Sequence, residues 1–302
     1  MFKGLFLAAM VALVPLHAGA ADAVASVTIL EGDASIYRGV GRLRAAEGVR
    51  LTSGDIVETG ESTFAQIEFA DQSVLQLGAG TRVLINSTTS RQKSERFVYI
   101  MNGWLKLTGV KREGGAPAFD LRAPLVEVAA NPGVVVVRTM PSEVTLFSER
   151  GDMRIGERQS PTTTVAVALK SGDSYQRKAG ARGAVSSGVP TAFLNDMPKF
   201  FRDSLPSRAD RHRDKDVRPD AAPDFAYADV EVWLKAEPAL RRPLMARWRV
   251  KAKEPAFRSA LIANLSAHPE WDPILFPEKY LPKEPPAASA GAASAVLVSP
   301  AR

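Results

Sequence analysis

The sequence predicts a mainly β protein, a compact β-sandwich or β-roll of short antiparallel strands, followed by a small α-helical C-terminal domain. Apolar and polar residues alternate in short runs over residues 24–178, and such a period of two is typical of strands with one buried face. After residue 190 the apolar residues recur at helical spacing. Because each strand hides one face, two packed layers are needed to bury the apolar set.

A tight meander over residues 48–86 is predicted to be the centre of the β region. Along one of its strands Ile67 alternates with Gln66, so we expect Ile67 to face the core and Gln66 to face solvent. Asp71 suits the first corner of the following turn, because its carboxylate can accept backbone amides two residues on. The four consecutive valines at residues 134–137 predict a strand that is buried on both faces.

Glycine-containing turns divide the predicted strands. Gly-Asp pairs recur at residues 32–33, 54–55, 151–152 and 172–173. Their spacings are unequal, so we interpret them as recurring turn chemistry and not as a solenoid repeat. Asn102-Gly103, between two apolar runs, predicts a β-hairpin. Trp104 follows this turn, where a core or cross-strand role is favoured over ligand stacking.

Turn and strand residues of the meander form one recurring pattern. They are Gly54, Asp55, Ile56, Val57, Thr59, Gly60, Ala65, Ile67, Phe69, Asp71, Ser73, Leu75, Leu77, Thr81 and Val83. This pattern resembles the periplasmic domain of the FecR family, which is named for the regulator of ferric dicitrate transport. The resemblance extends more weakly over residues 25–178. Gln72 stands where the family has the glycine of an Asp-Gly-Ser turn, so we do not expect a positive φ there.

The first twenty residues are typical of a secretory signal peptide. Lys3 supplies the positive start, an apolar stretch follows, and Ala18-Gly19-Ala20 supplies a small-residue cleavage site. We therefore predict a periplasmic protein with no transmembrane segment in the mature chain. The formal net charge of +6 favours anionic partners. In the periplasm these would be anionic envelope polymers and not nucleic acid.

Composition and periodicity divide the chain into five predicted parts. Residues 209–224 are densely charged and contain two prolines, so we expect a solvated linker there. Asp229 is a plausible N-cap, and Pro238 and Pro255 suit first turns of helices. The predicted parts are a signal peptide at 1–20, a FecR-like β domain at 24–186, a helical segment and charged linker at 187–224, an α-helical domain at 225–282 and a disordered tail at 283–302.

No residue pattern indicates an enzyme mechanism. The sequence has no cysteine and three histidines, which excludes a thiolate nucleophile and makes a histidine metal site an unexpected feature. Asp55, Glu58 and Asp71 could form a glycosidase-like pair, but two of them occupy turn positions that favour aspartate. Calcium-loop and phosphate-loop motifs do not occur. We therefore expect no catalytic residue, no cofactor and no metal.

Two functions remain open from the sequence. The favoured one is a non-enzymatic periplasmic FecR-like binding or scaffold protein, acting in envelope signalling or assembly through contacts with an envelope protein. The alternative is an enzyme or binding module that acts on cell-wall or other anionic glycan. Typical FecR regulators join a cytoplasmic sigma-factor-binding segment to a transmembrane helix and a periplasmic domain. With a signal peptide predicted instead, we do not expect direct anti-sigma activity.

The candidate interaction surface lies on the predicted helices. Arginine binds carboxylates and phosphates bidentately, and a cluster of arginines follows residue 240. The competing interpretation, which we favour, is a solvated helix face. The candidate residues are Arg241, Arg242, Arg247 and Arg249, with Trp104 added from the β domain.

Overall fold

The computed structural model describes residues 23–89, 94–110, 119–129, 132–160 and 163–281. The predicted signal peptide at 1–20 and the predicted tail at 283–302 lie outside the described residues. The strands are β1 Ala23–Glu31, β2 Ala34–Arg38, β3 Gly41–Arg44, β4 Arg50–Thr52, β5 Ile56–Thr59, β6 Phe64–Phe69, β7 Val74–Leu77, β8 Arg82–Thr89, β9 Ser94–Thr108, β10 Asp120–Arg122, β11 Val126–Val128, β12 Val134–Met140, β13 Glu143–Arg150, β14 Met153–Arg158, β15 Thr164–Leu169, β16 Ser174–Lys178 and β17 Ala184–Ser186.

Short helices follow the strands, as the change of periodicity predicts. The α-helices are α1 Thr191–Asp196, α2 Ala209–His212, α3 Tyr227–Leu234, α4 Pro238–Trp248, α5 Pro255–Ala263 and α6 Asp272–Leu275. Short 3-10 helices lie at Lys199–Arg202, Arg249–Lys253, Leu265–Ala267, Pro269–Trp271 and Pro277–Tyr280. Pro238 and Pro255 begin α4 and α5 as predicted. Asp229 is not the N-cap. It lies three residues after Ala226, whose backbone amide donates to its carboxylate at 2.7 Å.

The strands form two packed sheets, which confirms the predicted mainly β fold. Sheet A has the order β4-β1-β6-β7-β9-β12-β13-β16-β17, and sheet B has the order β3-β2-β5-β8-β9-β10-β11-β14-β15. Neighbours are antiparallel except β9 and β10. The core between the sheets takes alternate residues from both, including Ile67, Leu75 and Val137 from sheet A and Val57 and Ile155 from sheet B.

Strand β9 belongs to both sheets, so the hairpin predicted at Asn102-Gly103 is wrong. The strand runs without a turn through these residues, pairing with β8 before them and with β12 after them. Gly103 has φ +101°, and an added Cβ would lie 2.6 Å from the Cα of Thr81. A glycine is therefore required for this close approach, which bends one strand from sheet B into sheet A.

The Gly-Asp pairs share one backbone conformation. Their glycines have φ values between +87° and +90°, which supports recurring turn chemistry. The expectation for Gln72 is wrong, because its φ is +70°. Two hydrogen bonds hold this turn, from Gln72 N to Phe69 O at 2.9 Å and from Ser73 N to the Asp71 carboxylate at 3.0 Å. Such surrounding bonds stabilise a conformation that costs a non-glycine residue energy.

The C-terminal helices pack on the outer face of sheet B. Trp233 and Trp248 share one hydrophobic cluster with Tyr37, Ile56 and Leu84 of the sheet. The indole of Trp248 also donates to Gly39 O at 3.1 Å. The helices are therefore anchored to the β region by apolar burial and a partly buried hydrogen bond.

The segment expected to be a solvated linker lies against the β region instead. Arg44 N donates to Asp220 O at 2.8 Å, and Ala222 N donates to Arg42 O at 3.0 Å. A further bridge joins Val217 to Val49. The physical reason is that the edge strand β3 has free backbone groups, which the segment satisfies despite its charge.

Residues 190–208 cover the outer face of sheet A, where Phe193 and Phe201 pack on Val136. Residues 134–137 are therefore buried on both faces, as predicted. For the same reason the expectation that Gln66 faces solvent is wrong. Gln66 is fully buried, accepts from Gln76 Nε2 at 3.2 Å and donates to Glu68 Oε1 at 3.2 Å.

Substitutions in β6 test this two-sided burial. Ile67→Asp should lower the free energy of unfolding by more than about 4 kcal/mol, because it places an unpaired charge in the core. Gln66→Asp should cost about 1–3 kcal/mol, because it breaks buried hydrogen bonds. The exposed control Ser62→Asp should stay within about 0.5 kcal/mol. Denaturant unfolding measures all three, and equal stability of Gln66→Asp and wild type would contradict the burial.

His268 makes stability depend on pH. It is buried and hydrogen-bonded to the Tyr227 hydroxyl at 3.0 Å. Burial, and then the charges of Arg241 and Lys235, lower its pKa. The unfolded chain therefore takes up the proton first, and the free energy of unfolding decreases as pH falls below about 6.5. Wild type should lose more stability between pH 7.5 and 5.5 than His268→Gln in thermal melts. Parallel losses would contradict this role.

Candidate partner-binding surface

The four candidate arginines do not form one surface. Arg241 joins α4 to other parts of the helical region. Its guanidinium forms a bidentate pair with Glu270, at 2.8 and 3.0 Å, and donates to Ala236 O at 3.0 Å and Ala267 O at 3.1 Å. These bonds use the planar donor set of the side chain, so Arg241 has little capacity left for a partner.

Arg247 fastens α4 to the Gly54-Asp55 turn of the meander. Its Nη1 donates to Gly54 O at 2.7 Å, and an added Cβ on Gly54 would lie 2.4 Å from its Nη2. Burial lowers the pKa of Arg247, and the charge of Asp55 opposes that shift. Asp55 is itself held by Arg38 at 2.6 Å. The Gly54-Asp55 turn, which belongs to the family pattern, is thus the contact site of α4 on the meander.

Arg242 and Arg249 are the exposed members, and they face different grooves. The Arg242 side chain is 68% exposed and lies beside the start of α4. Arg249 lines a separate groove with Arg258 and Pro277. Two of the candidate arginines, Arg241 and Arg247, therefore make structural contacts within the chain. The other two, Arg242 and Arg249, are exposed.

Trp104 lies under the covering segment of sheet A. Its ring centroid is 4.8 Å from that of Phe193, and the Arg138 guanidinium lies 5.2 Å from its ring centroid. The side chain is half-buried and packs against the cluster of Phe193 and Phe201. This placement favours the core role over ligand stacking.

A groove of about 650 Å³ opens where the helices stop covering sheet B. Its floor is formed by β9, β10, β11 and β14, and its wall by the first residues of α4. The charged and phenolic residues that line it are Tyr99, Arg122, Glu127, Arg158, Glu237 and Arg242.

Arg158 links the floor of the groove to its wall. Its guanidinium contacts Glu127 at 2.5 Å and Glu237 at 2.7 Å, and Glu237 accepts from the Tyr99 hydroxyl at 2.8 Å. Burial lowers the pKa of Arg158, but the hydrogen bond to Glu237 and the charge of Glu127 outweigh it, so the pKa is raised. Burial and Glu237 together raise the pKa of Tyr99. Arg158 therefore carries its positive charge and Tyr99 keeps its phenolic proton at neutral pH.

This arrangement suits binding better than chemistry. Arg122 stacks on Phe97, with its guanidinium carbon 4.0 Å from the ring centroid, and pairs with Glu95 at 2.8 Å. Arg242 extends the groove toward solvent as an exposed cation. Within the described ranges, no three histidine, aspartate or glutamate side chains are grouped to hold a metal ion. Carboxylates and cations at fixed positions offer a partner complementary charge and hydrogen bonds.

The carboxylates considered for catalysis are each paired with a cation. Asp55 contacts Arg38 at 2.6 Å, Glu58 contacts Arg82 at 2.7 Å, and Asp71 lies 3.5 Å from Arg96. The Asp71 carboxylate also holds its own turn. These contacts favour the structural interpretation.

Sequence reasoning missed Arg158, Glu127 and Tyr99. Their partners are distant in the chain, and Arg158 and Glu237 are separated by 79 residues. A signal does exist for Glu127, because it alternates with Val126 and Val128, which face the core, whereas Arg158 follows the buried Glu157. Alternation identifies an outer face, but it does not identify the helix that meets it.

Substitutions at Gly54 and Arg247 test the contact between α4 and the meander. Gly54→Ala should cost about 1–3 kcal/mol, because alanine is strained at φ +88° and its Cβ displaces Arg247. In an Arg247→Ala background the same change should cost less, because the displacement is removed. The exposed control Arg249→Ala should stay within about 0.5 kcal/mol. Chemical denaturation measures this cycle, and strict additivity would contradict the contact.

Comparison with known proteins adds three findings. No curated protein matches the chain. Two similar crystal structures are of proteins from Parabacteroides distasonis that are provisionally assigned as anti-sigma factors. They are 17% and 15% identical, with TM-scores of 0.38 and 0.37, over 47% and 44% of this chain. The matches cover 64% and 59% of those structures, so the chain spans about three fifths of their length.

The described residues contain no helix that is both long and apolar enough to cross a bilayer. The family described as FecR protein matches residues 55–153. These residues run from the Gly54-Asp55 turn to the start of β14. The resemblance identified from the meander is therefore confirmed by a match to the FecR family over residues 55–153.

Proposed function

We propose that this protein is a non-enzymatic binding protein of envelope signalling or assembly, exported to the periplasm by a cleaved signal peptide at residues 1–20. The single observation that carries the proposal is the FecR match over residues 55–153. The three candidate carboxylates are all used in ion pairs. This pairing supports a regulatory role over a catalytic one. The protein then acts by contact with an envelope protein.

The groove beside α4 is the surface we assign to that contact. Phe97, Arg122 and Glu127 come from the FecR-family region, whereas Glu237 and Arg242 come from the helix packed against it. A partner bound in the groove therefore contacts both the FecR-family region and α4. The Arg158 network joins the floor of the groove to its wall before binding, so little ordering is required when the partner arrives. Arg242 selects a partner segment that carries a carboxylate.

Site-specific photo-crosslinking in cells tests this assignment. A photoreactive residue at position 239, which is exposed, lines the groove and leaves Arg242 in place, should give one discrete adduct with an envelope protein. The matched control is the same residue at position 249, which is exposed on the same helical region but lines a different groove. The control should give no such adduct, because the two positions face different surfaces.

Two outcomes would contradict the proposal. Equal adducts from positions 239 and 249 would indicate non-specific contact with the helical region. Retention of the wild-type protein on isolated cell-wall polymer, lost in Arg242→Glu and without any protein adduct, would favour the glycan-binding alternative. Loss of the protein adduct in Arg242→Glu with an unchanged melting temperature would support a protein partner.

A further inference from the structure

Both sheets end on the same side of the sandwich in a bare edge. Strand β15 closes sheet B and pairs with β14, and strand β17 closes sheet A and pairs with β16. Across the described ranges, no further strand pairs with the outer side of either one. The row of backbone N–H and C=O groups on such a side is a template for another strand.

Neither edge is protected by charge or proline, although β17 is only three residues long. Residues Thr164–Leu169 and Ala184–Ser186 contain no charged residue, no proline and no glycine. The pairing of β15 with β14 runs in continuous register without a bulge. Val165 and Val185 are 41% and 44% exposed. Native proteins protect exposed edges with charges, prolines or bulges, so an unprotected apolar edge indicates a surface that is covered in use.

The opposite side of the sandwich is protected twice. Its edge strand β3 carries Arg42 and Arg44. The chain also covers that strand, through the bridge from Leu43 to Ala221 and the bond from Arg44 N to Asp220 O. One side is thus charged and covered, whereas the other is uncharged and open. This asymmetry separates β15 from an ordinary sheet edge.

We propose that β15 pairs antiparallel with β15 of a second copy of this chain, so that the two B sheets continue into each other. The strand is self-complementary about a two-fold axis through Ala166 or Val167. With either axis, residues that face the core oppose residues that face the core, since the side-chain period is two. The axis at Val167 places Val165 opposite Leu169 and Ala166 opposite Ala168, and no like charges meet.

The same two-fold operation brings the β17 edges to the same interface. Because β15 and β17 end the two layers on one side, one contact covers both bare edges. An isologous contact of this kind closes on itself and does not extend into fibres. Thr164, the first residue of β15, also lines the groove beside α4, so the paired edge borders that groove. The pairing itself rests on the backbone edge of β15 and not on the charged residues of the groove.

Charge exchange at two exposed positions tests the pairing. Ala166→Lys with Ala168→Lys places like charges opposite each other in the pair, and Ala166→Glu with Ala168→Glu does the same with the other sign. Each double variant should raise the dimer Kd at least about tenfold. An equimolar mixture of the two should restore a heterodimer, because lysines then oppose glutamates. Sedimentation velocity over a concentration series measures all four samples of the full chain.

The control places the same charges elsewhere. Ala246→Lys with Ala263→Lys adds two lysines at exposed helix positions and should dimerise as wild type does. Circular dichroism melts should show that both edge variants remain folded, since residues 166 and 168 are exposed. Dimers of wild type and of the mixture, with monomers of each edge variant, support the proposal.

Three results would overturn it. The first is a wild-type chain that stays monomeric across the series. The second is an edge variant that dimerises as tightly as wild type, which would place the contact elsewhere. The third is a monomeric wild type that dimerises only after residues 282–302 are deleted, which would indicate that the edge is covered by the chain itself.

Discussion

The structure depends on covering the outer faces of a two-layer sandwich. A β-sandwich buries the inner faces of its sheets by its own packing, but here both outer faces also carry large apolar side chains. Tyr37, Ile56 and Leu84 lie on the outer face of sheet B, and Val136 lies on that of sheet A. At about 25 cal/mol per Å² of apolar area removed from water, these faces favour a covering layer. The chain after residue 190 supplies it for both sheets.

Cations fix the covering layers in register. Apolar contact is non-directional, so burial alone does not determine where a helix sits. Arg247 bonds to Gly54 O beneath α4, and Arg158 bonds to Glu237 at its start. On the other face, Lys106 donates to Phe201 O at 2.5 Å. Each bond joins a strand to a covering element with defined geometry, which explains why cations of a basic chain are buried at these joints.

The mainly β fold, the helical C-terminal region and the FecR resemblance were predictable, because they rest on local signals. Alternation, glycine turns and helix-starting prolines depend on residues close in sequence. What could not be predicted depends on distant partners. Gln66 has the polarity of an exposed residue and is buried under a segment 140 residues away. Asn102-Gly103 has the local signature of a hairpin, but contact with Thr81 makes it the bend of one long strand.

The candidate site was also missed because it depends on partners that are distant in sequence. An arginine cluster indicates charge but does not separate exposed cations from buried ones. That separation depends on acceptors such as Glu270 and Gly54 O, which the fold brings to Arg241 and Arg247. Arg242, which is exposed beside the groove, lies 3.9 Å from Glu270. The groups that the covering layers leave exposed can therefore be identified only after the contacts between the layers are known.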